Sequence, residues 1–238
     1  MITVELPGAI AAFSTREGGV SKGPYASLNL GLLTGDDPDD VIENRRRLAR
    51  EVGLDPAAIA MGHQVHGNAI ERWGAEPDQT RHGFANPRPA ALPEVDGHTT
   101  ARHGLGLLVQ VADCLPVALA SPRRVSIVHC GWRGLAAGVI EHALSYFETP
   151  PTAAVGPGIG ACCFEVGSEV LSEFEDVEGA ADGRMLDLRR VAEAKLQAHG
   201  VEHVEHVEIC TSCHGDIFFS YRRDGGVTGR QCGIVWRP

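Results

Sequence analysis

Nowhere in the 238 residues do eighteen apolar residues follow one another, so no segment has the length of a membrane-crossing helix. The opening stretch, MITVELPGAIAAF, has no basic n-region and too short an apolar run for a signal peptide, and a cytoplasmic protein without a membrane partner is expected. Positive charge is scarce as well: 21 Lys and Arg stand against 31 Asp and Glu, a net charge of −10. That balance argues against a nucleic-acid partner, because neutralising phosphates takes clustered cations. Any anionic substrate has to be met by a local basic pocket. No long polar linker divides the chain, and a single domain over residues 1–238, read as a monomer, has room for a substantial core.

Cysteine is present but odd in number. Seven cysteines in a reducing compartment are expected to stay mostly reduced, and an odd count leaves one unpaired in any disulfide scheme. The run Cys210-Thr-Ser-Cys213-His214 matches both a redox C-x-x-C and a haem-attachment pattern. Haem attachment needs an exported protein and the redox motif needs a small βαβ setting, and neither context is evident. The adjacent pair Cys162-Cys163 reads as packing at a turn.

The most informative stretch is 109–134, VQVADCLPVALASPRRVSIVHCGWRG. Apolar runs at Leu107–Ala112 and Val125–Val128 read as buried strands, each followed by a metal-capable side chain and then by Pro or Gly. Cys114 and His129 lie fifteen positions apart, which suits neighbouring strands joined by a connection over residues 118–124 rather than one helix face. A thiolate and an imidazole at strand ends need one more donor to hold zinc with an open fourth position, and His63 and His66 lie upstream. Alternatively Cys114 is a nucleophile and His129 its base. Residue types and spacing leave the two chemistries open.

Elsewhere, Arg16 beside Gly18 and Gly19 offers a planar fork of donors as a phosphate or carboxylate clamp, and Asn29 suits either a base or ribose contact or a turn cap. The turn 131–134, running into apolar spacing at 135, 139, 143 and 147, is the preferred phosphate cradle: helix N-termini offer free N–H groups, and Arg133 and Gly134 belong to this turn. Trp132 stands there as a stacking platform or as core. Arg222 and Arg223 are second-choice anion contacts. A helix is expected from Asp36-Asp37-Pro38 to Gly53, with Val41, Leu48 and Val52 inward and Arg45, Arg46 and Arg47 solvated. Further helices are expected over 135–147, 168–176 and 188–199, strands over 9–15, 153–155, 201–209 and 229–236, and a mobile loop over 74–93. Asp96 suits an outer carboxylate that orients a ligand imidazole, and His98 is a rival ligand or an incidental His.

Taken together, VADCLPV and VHCGWRG, with FSTREGGVS, YASLNLG, QVHG, GPGIGACCFEV and FFSYRR, resemble the laccase-domain family once labelled multicopper polyphenol oxidoreductase. The resemblance runs from about Phe13 to Arg230. It implies an α/β (α+β) fold of mixed sheets packed together and flanked by helices. It further implies a zinc-dependent purine nucleoside phosphorylase that also deaminates adenosine, with a purine nucleoside and phosphate as partners. Carried over motif by motif, the zinc ligands fall on His66, Cys114 and His129, with Asp113 beside them as a candidate for proton transfer. Two rivals remain, a copper-dependent polyphenol oxidase, the family's older label, and a cysteine hydrolase or amidase using Cys114.

Overall fold

The computed structural model describes residues 1–74, 84–85 and 92–238. One sheet runs in the order β1 (Ile2–Leu6), β2 (Ala9–Phe13), β13 (Gln231–Trp236), β6 (Gly106–Val111) and β3 (Ile59–Ala60). The other runs β12 (Val204–His206), β9 (Thr152–Val155), β7 (Leu115–Ser121), β8 (Arg124–Cys130), β5 (Gly97–Thr100) and β4 (Ile70–Trp73). A short ribbon, β10 (Ala181–Asp182) with β11 (Met185–Leu186), lies apart from both. Both large sheets mix parallel and antiparallel pairs.

Strand parity explains the layering, because successive side chains point to opposite faces. Leu107 and Val109 of β6, Ala118 and Ala120 of β7, and Val125 and Ile127 of β8 share one cluster with Phe13 and Val235, the layer between the sheets. Their neighbours of opposite parity face outward under helices. Leu115, Val117, Leu119 and Val128 pack beneath α2 (Trp132–Ala136), α3 (Val139–Leu144) and α5 (Leu188–Ala198). Leu108, Ile234 and Trp236 pack beneath α1 (Pro38–Val52). A final short helix, α4 (Ser168–Leu171), leans on the first of these helical layers through Val170. The result is the expected α/β architecture of mixed sheets with helices outside.

Where expectation and structure part, the reasons are local. Residues 118–124 are no connection: they are mostly strand, and Pro122 and Arg123 alone turn the β7–β8 hairpin. Strands covered on both faces show no apolar–polar alternation, so VALAS gives no sign of its period. The helix expected over 135–147 is two helices, parted at Gly138, whose φ of 81° lies in the left-handed region. The expected 168–176 helix shortens to α4 and a 3-10 turn at Ser172–Phe174. Helix α1 keeps its expected caps, Asp37 accepting from Asp39 N and Gly53 closing the end at φ 70°. Arg45, expected in solvent, is buried: four positions after Val41, it falls on the inward face, where its Nε and Nη1 donate to the carbonyls of Leu30 and Phe84. The loop expected over 74–93 falls for the most part outside the described residues.

His98 of β5 is fully buried and accepts a hydrogen bond from Trp73 Nε1, so its imidazole is neutral and its proton sits on Nε2. Burial drives its pKa down to about 3, against a weaker opposing pull from Asp96. In the unfolded chain this His takes up a proton below about pH 6.5, whereas the folded one resists until far lower pH, so stability falls as pH falls across that window. Between pH 7 and pH 5 the loss assigned to this residue is about 2 kcal/mol. Urea unfolding at the two pH values should show His98→Gln losing less stability than the parent by about that amount; equal losses would contradict the account.

Candidate metal centre and its pocket

The β7–β8 hairpin brings the two ends of the 109–134 stretch together. Leu115 pairs with Cys130 and Pro116 with His129, so Cys114, one residue before β7, lies beside the end of β8. His129 has the parity of Val125 and Ile127 and therefore points into the gap between the sheets. His66 arrives from the segment between β3 and β4. Its ring meets that of His129 edge-on, with centroids 4.8 Å apart. The donor atoms of His66, Cys114 and His129 all lie within 4.8 Å of one another, a group able to hold a metal ion.

One buried carboxylate arranges two of these three donors. Asp96, just before β5, accepts from the backbone N–H groups of Val65, His66 and Gly67 at 3.1, 2.9 and 2.7 Å. It also takes the Nδ1 proton of His129 at 2.8 Å, and the His129 backbone N–H donates to its carbonyl at 2.7 Å. Nε2 of His129 is thereby left free for an ion, the usual role of an outer carboxylate. Burial raises the Asp96 pKa, but the His129 hydrogen bond and charge and the Gly67 and Val65 N–H groups outweigh it, so the carboxyl sits below its ordinary range.

The thiol is charged in the same network. Burial pushes Cys114 up, yet the charge and hydrogen bond of His129, joined by His66, bring it down to about 6. His129 moves the opposite way: burial lowers it, but the Cys114 thiolate and Asp96 carry it up to about 9. Each partner thus favours the charged form of the other, a thiolate beside an imidazolium. Among the described residues, two non-glycine residues have positive φ, and both belong here: His66 at 62° and Asp113, the neighbour of Cys114, at 94°. Gly131 is required by close approach, since a Cβ there would stand 3.0 Å from Cys114 Sγ and 3.2 Å from His66 Cδ2.

A cavity of about 570 Å³ opens from this group, large enough for a nucleoside. Leu33, Trp132, Ile159, Phe164 and Tyr221 give it apolar walls, and Arg45, Arg133, Arg222 and Arg230 give it cations. The Arg133 guanidinium stacks on Trp132 at 4.3 Å and, among the described residues, hydrogen-bonds to none. Among the described residues, the Arg230 guanidinium donates to the nearby carbonyls of Thr228 and Gly229, and it lies over Tyr221. Chain order gave no sign of Arg230, because only the fold carries position 230 back to Cys114.

Other expected contacts are spent on the scaffold. Arg16 donates to the carbonyls of Ala26 and Gly215 and stacks on Phe219, away from the cavity lining. Asn29 is fully buried and ties Thr34, Asp36, Gly31 and the Arg230 N–H, a turn anchor rather than a ligand contact. Gly134 lies outside the lining: a Cβ there would come within 3.0 Å of the Gly67 carbonyl, so its smallness serves the approach of α2 to the His66 loop. Asp113 reaches the lining, but its carboxylate already accepts from Thr211 Oγ1 and the Arg222 N–H at 2.7 Å each. Of the expected anion contacts near the C-terminus, Arg222 donates to the Glu165 carbonyl, and Arg223 pairs with Asp224. His63 lines the cavity outside the donor group, and buried His98 lies outside it too.

Residues 10–238 match the family described as multi-copper polyphenol oxidoreductase laccase. The chain is 37% identical to the purine nucleoside phosphorylase YlmD of Geobacillus stearothermophilus, with 97% of this chain and 90% of that protein covered. It is 40% identical to the purine nucleoside phosphorylase ORF3 of Streptomyces griseus, covering 94% of this chain and 93% of that one. The crystal structure of the same YlmD superposes with a TM-score of 0.89 at 36% identity, over 97% of this chain and 92% of the other. The Bacillus licheniformis hypothetical protein YfiH superposes with a TM-score of 0.90 at 30% identity, over 97% and 93%.

Two measurements probe the centre itself. Asp96→Asn keeps the shape but removes the charge and one set of lone pairs, and its metal affinity should fall about 10- to 100-fold in competition with a chromophoric chelator. In metal-stripped protein, alkylation of Cys114 by iodoacetamide should rise through a midpoint near pH 6. A midpoint near 9, the ordinary thiol value, would mean that the thiolate–imidazolium pair does not form.

Proposed function

The chain belongs to the family described as multi-copper polyphenol oxidoreductase laccase, and from that premise we propose that it is a zinc-dependent purine nucleoside phosphorylase that also deaminates adenosine. The observation that carries this reading is the convergence of His66, Cys114 and His129 at the edge of a nucleoside-sized cavity that also holds an uncommitted guanidinium.

The donor chemistry suits zinc. His66, Cys114 and His129 would hold zinc through two imidazoles and one thiolate, a donor set that would keep a position open for substrate or water. Bound there, zinc would supply Lewis acidity and a nucleophilic water near neutral pH, the requirement for replacing the 6-amino group of adenine. Copper oxidase chemistry, the family's older description, calls for several more histidines at paired spacing. The group described here has two.

The chain's own residues account for binding and orientation. Phosphorolysis forms a bond between a phosphate oxygen and C1′ of the ribose while the glycosidic bond breaks and its electrons leave with the purine. Phosphate therefore has to be held beside the sugar while negative charge grows on the base. Arg133 and Arg230 supply the cations for the phosphate, and Trp132, Phe164 and Tyr221 supply flat apolar surface for the purine. Asp96 holds the proton at Nδ1 of His129 throughout, so that ring keeps one tautomer.

A second reading has a specific observation behind it. Asp96, His129 and Cys114 are hydrogen-bonded in line, with the thiol at about 6, the arrangement of a cysteine hydrolase. Chelation separates the two, because a thiol enzyme keeps its rate without zinc and loses it to alkylation.

Incubation with inosine and phosphate should yield hypoxanthine and ribose 1-phosphate, with no product when phosphate is omitted. Adenosine should yield adenine with phosphate and inosine without it. Cys114→Ala should lower both activities more than about 100-fold, and Arg133→Ala should raise the phosphate KM about 10-fold with a smaller effect on deamination. Turnover that survives full removal of zinc would refute the assignment.

A further inference from the structure

Four cysteines that the pocket does not use meet elsewhere in the fold. The Sγ atoms of Cys162, Cys163, Cys210 and Cys213 all lie within 4.8 Å of one another. Cys213 Sγ is 3.6 Å from Cys162 Sγ and 3.4 Å from Cys163 Sγ. They come from two loops about fifty residues apart, so this is convergence of distant segments and not a local accident. A tetrahedral zinc site with Zn–S of about 2.3 Å has its sulfurs about 3.8 Å apart, close to the separations found here. An iron–sulfur cluster places its own iron and sulfide atoms between the thiolates and needs a wider ring.

Backbone N–H groups support one of the four sulfurs, that of Cys210. Gly160 N–H donates to Cys210 Sγ at 3.2 Å, and the Cys213 N–H donates to the same sulfur. On the other loop, Cys163 N–H and Phe164 N–H both return to the Gly160 carbonyl, a tight turn that brings adjacent cysteines to one side. Three guanidiniums grip the two loops from outside. Arg189 donates to the carbonyls of Gly158 and Ile209, Arg222 to that of Glu165, and Arg223 to that of Thr211.

We propose that Cys162, Cys163, Cys210 and Cys213 form a second, structural zinc site that staples the 158–164 loop to the 210–213 loop. With four protein ligands the site is closed and has no position for substrate. Its role is mechanical. The first loop supplies Ile159 and Phe164 to the cavity wall, and Ile159 N–H donates to the Asp113 carbonyl. The second loop supplies Thr211, whose hydroxyl donates to the Asp113 carboxylate next to Cys114. Both loops therefore brace the strained residue that precedes the Cys114 donor.

The full-length Cys114→Ala variant isolates this site, because it removes the thiolate of the other centre, and the readout is metal binding rather than catalysis. Titration with cobalt(II) under reducing, anaerobic conditions should give one equivalent of a tetrahedral thiolate spectrum: intense sulfur-to-cobalt charge transfer in the near ultraviolet and ligand-field bands in the red. One equivalent of zinc should abolish it. Cys213 is exposed, so adding Cys213→Ser disturbs no core; it should weaken the charge-transfer band and lower zinc affinity more than about 100-fold. Freshly isolated parent protein should contain two zinc ions per chain and the Cys114→Ala variant one. Any of three results overturns the proposal: no cobalt spectrum in Cys114→Ala, a spectrum and affinity unchanged by Cys213→Ser, or peptide mapping of fresh protein that finds a disulfide among these four residues.

Discussion

A single buried carboxylate holds the candidate centre together. Asp96 has no exposed surface, and its charge is met by the three N–H groups of the 65–67 turn and by the Nδ1 proton of His129. Burying a carboxylate without partners is costly, and hydrogen bonds to a charged group are each worth about 1.5–3 kcal/mol. The same bonds place His66 in a left-handed conformation that an L residue adopts at a cost of about 1–3 kcal/mol. One group thus fixes the loop that presents the first imidazole and the tautomer of the second.

The sandwich delivers the third donor. Antiparallel pairing of β7 with β8 closes on Cys114 and on the His129–Gly131 end, and Gly131 leaves the space that Cys114 and His66 occupy. Behind Cys114, Asp113 is locked by Thr211 and by the Arg222 N–H, and its carbonyl takes the Ile159 N–H. The centre is therefore held from two sides. Asp96 secures the histidines from the start of β5, and the loops that carry Cys162, Cys163, Cys210 and Cys213 secure the thiol. Most arginines of the region are committed to backbone carbonyls, which sets apart Arg133, whose guanidinium hydrogen-bonds to none of the described residues.

Legibility in the sequence followed range. Strong local chemistry was readable: the Asp37 cap and Gly53 stop of α1, the Asp187 cap of α5, and the strands near 9–13, 106–111 and 231–236. The sequence also pointed to the three residues whose donors the fold brings together, because VADCLPV and VHCGWRG, with QVHG beside them, carry the resemblance. What stayed hidden depended on partners far along the chain. Arg16, Arg45 and Asn29 look like free polar side chains until the carbonyls and N–H groups that absorb them are known. Strand β7 shows no alternation because both its faces are covered. The pairing of Cys162-Cys163 with Cys210 and Cys213 needs the 158–164 and 210–213 loops to meet, which no local spacing encodes.

The account stands or falls on where an ion sits relative to Asp96 and its two histidines. An anomalous-difference map recorded at the zinc edge from crystals of the zinc-loaded protein tests it directly. It should show a peak about 2.0–2.3 Å from an imidazole nitrogen of His66, Sγ of Cys114 and Nε2 of His129, with the His129 Nδ1 still on Asp96. No peak among those three donors, or a His129 ring turned away from Asp96 to reach the metal, would contradict it.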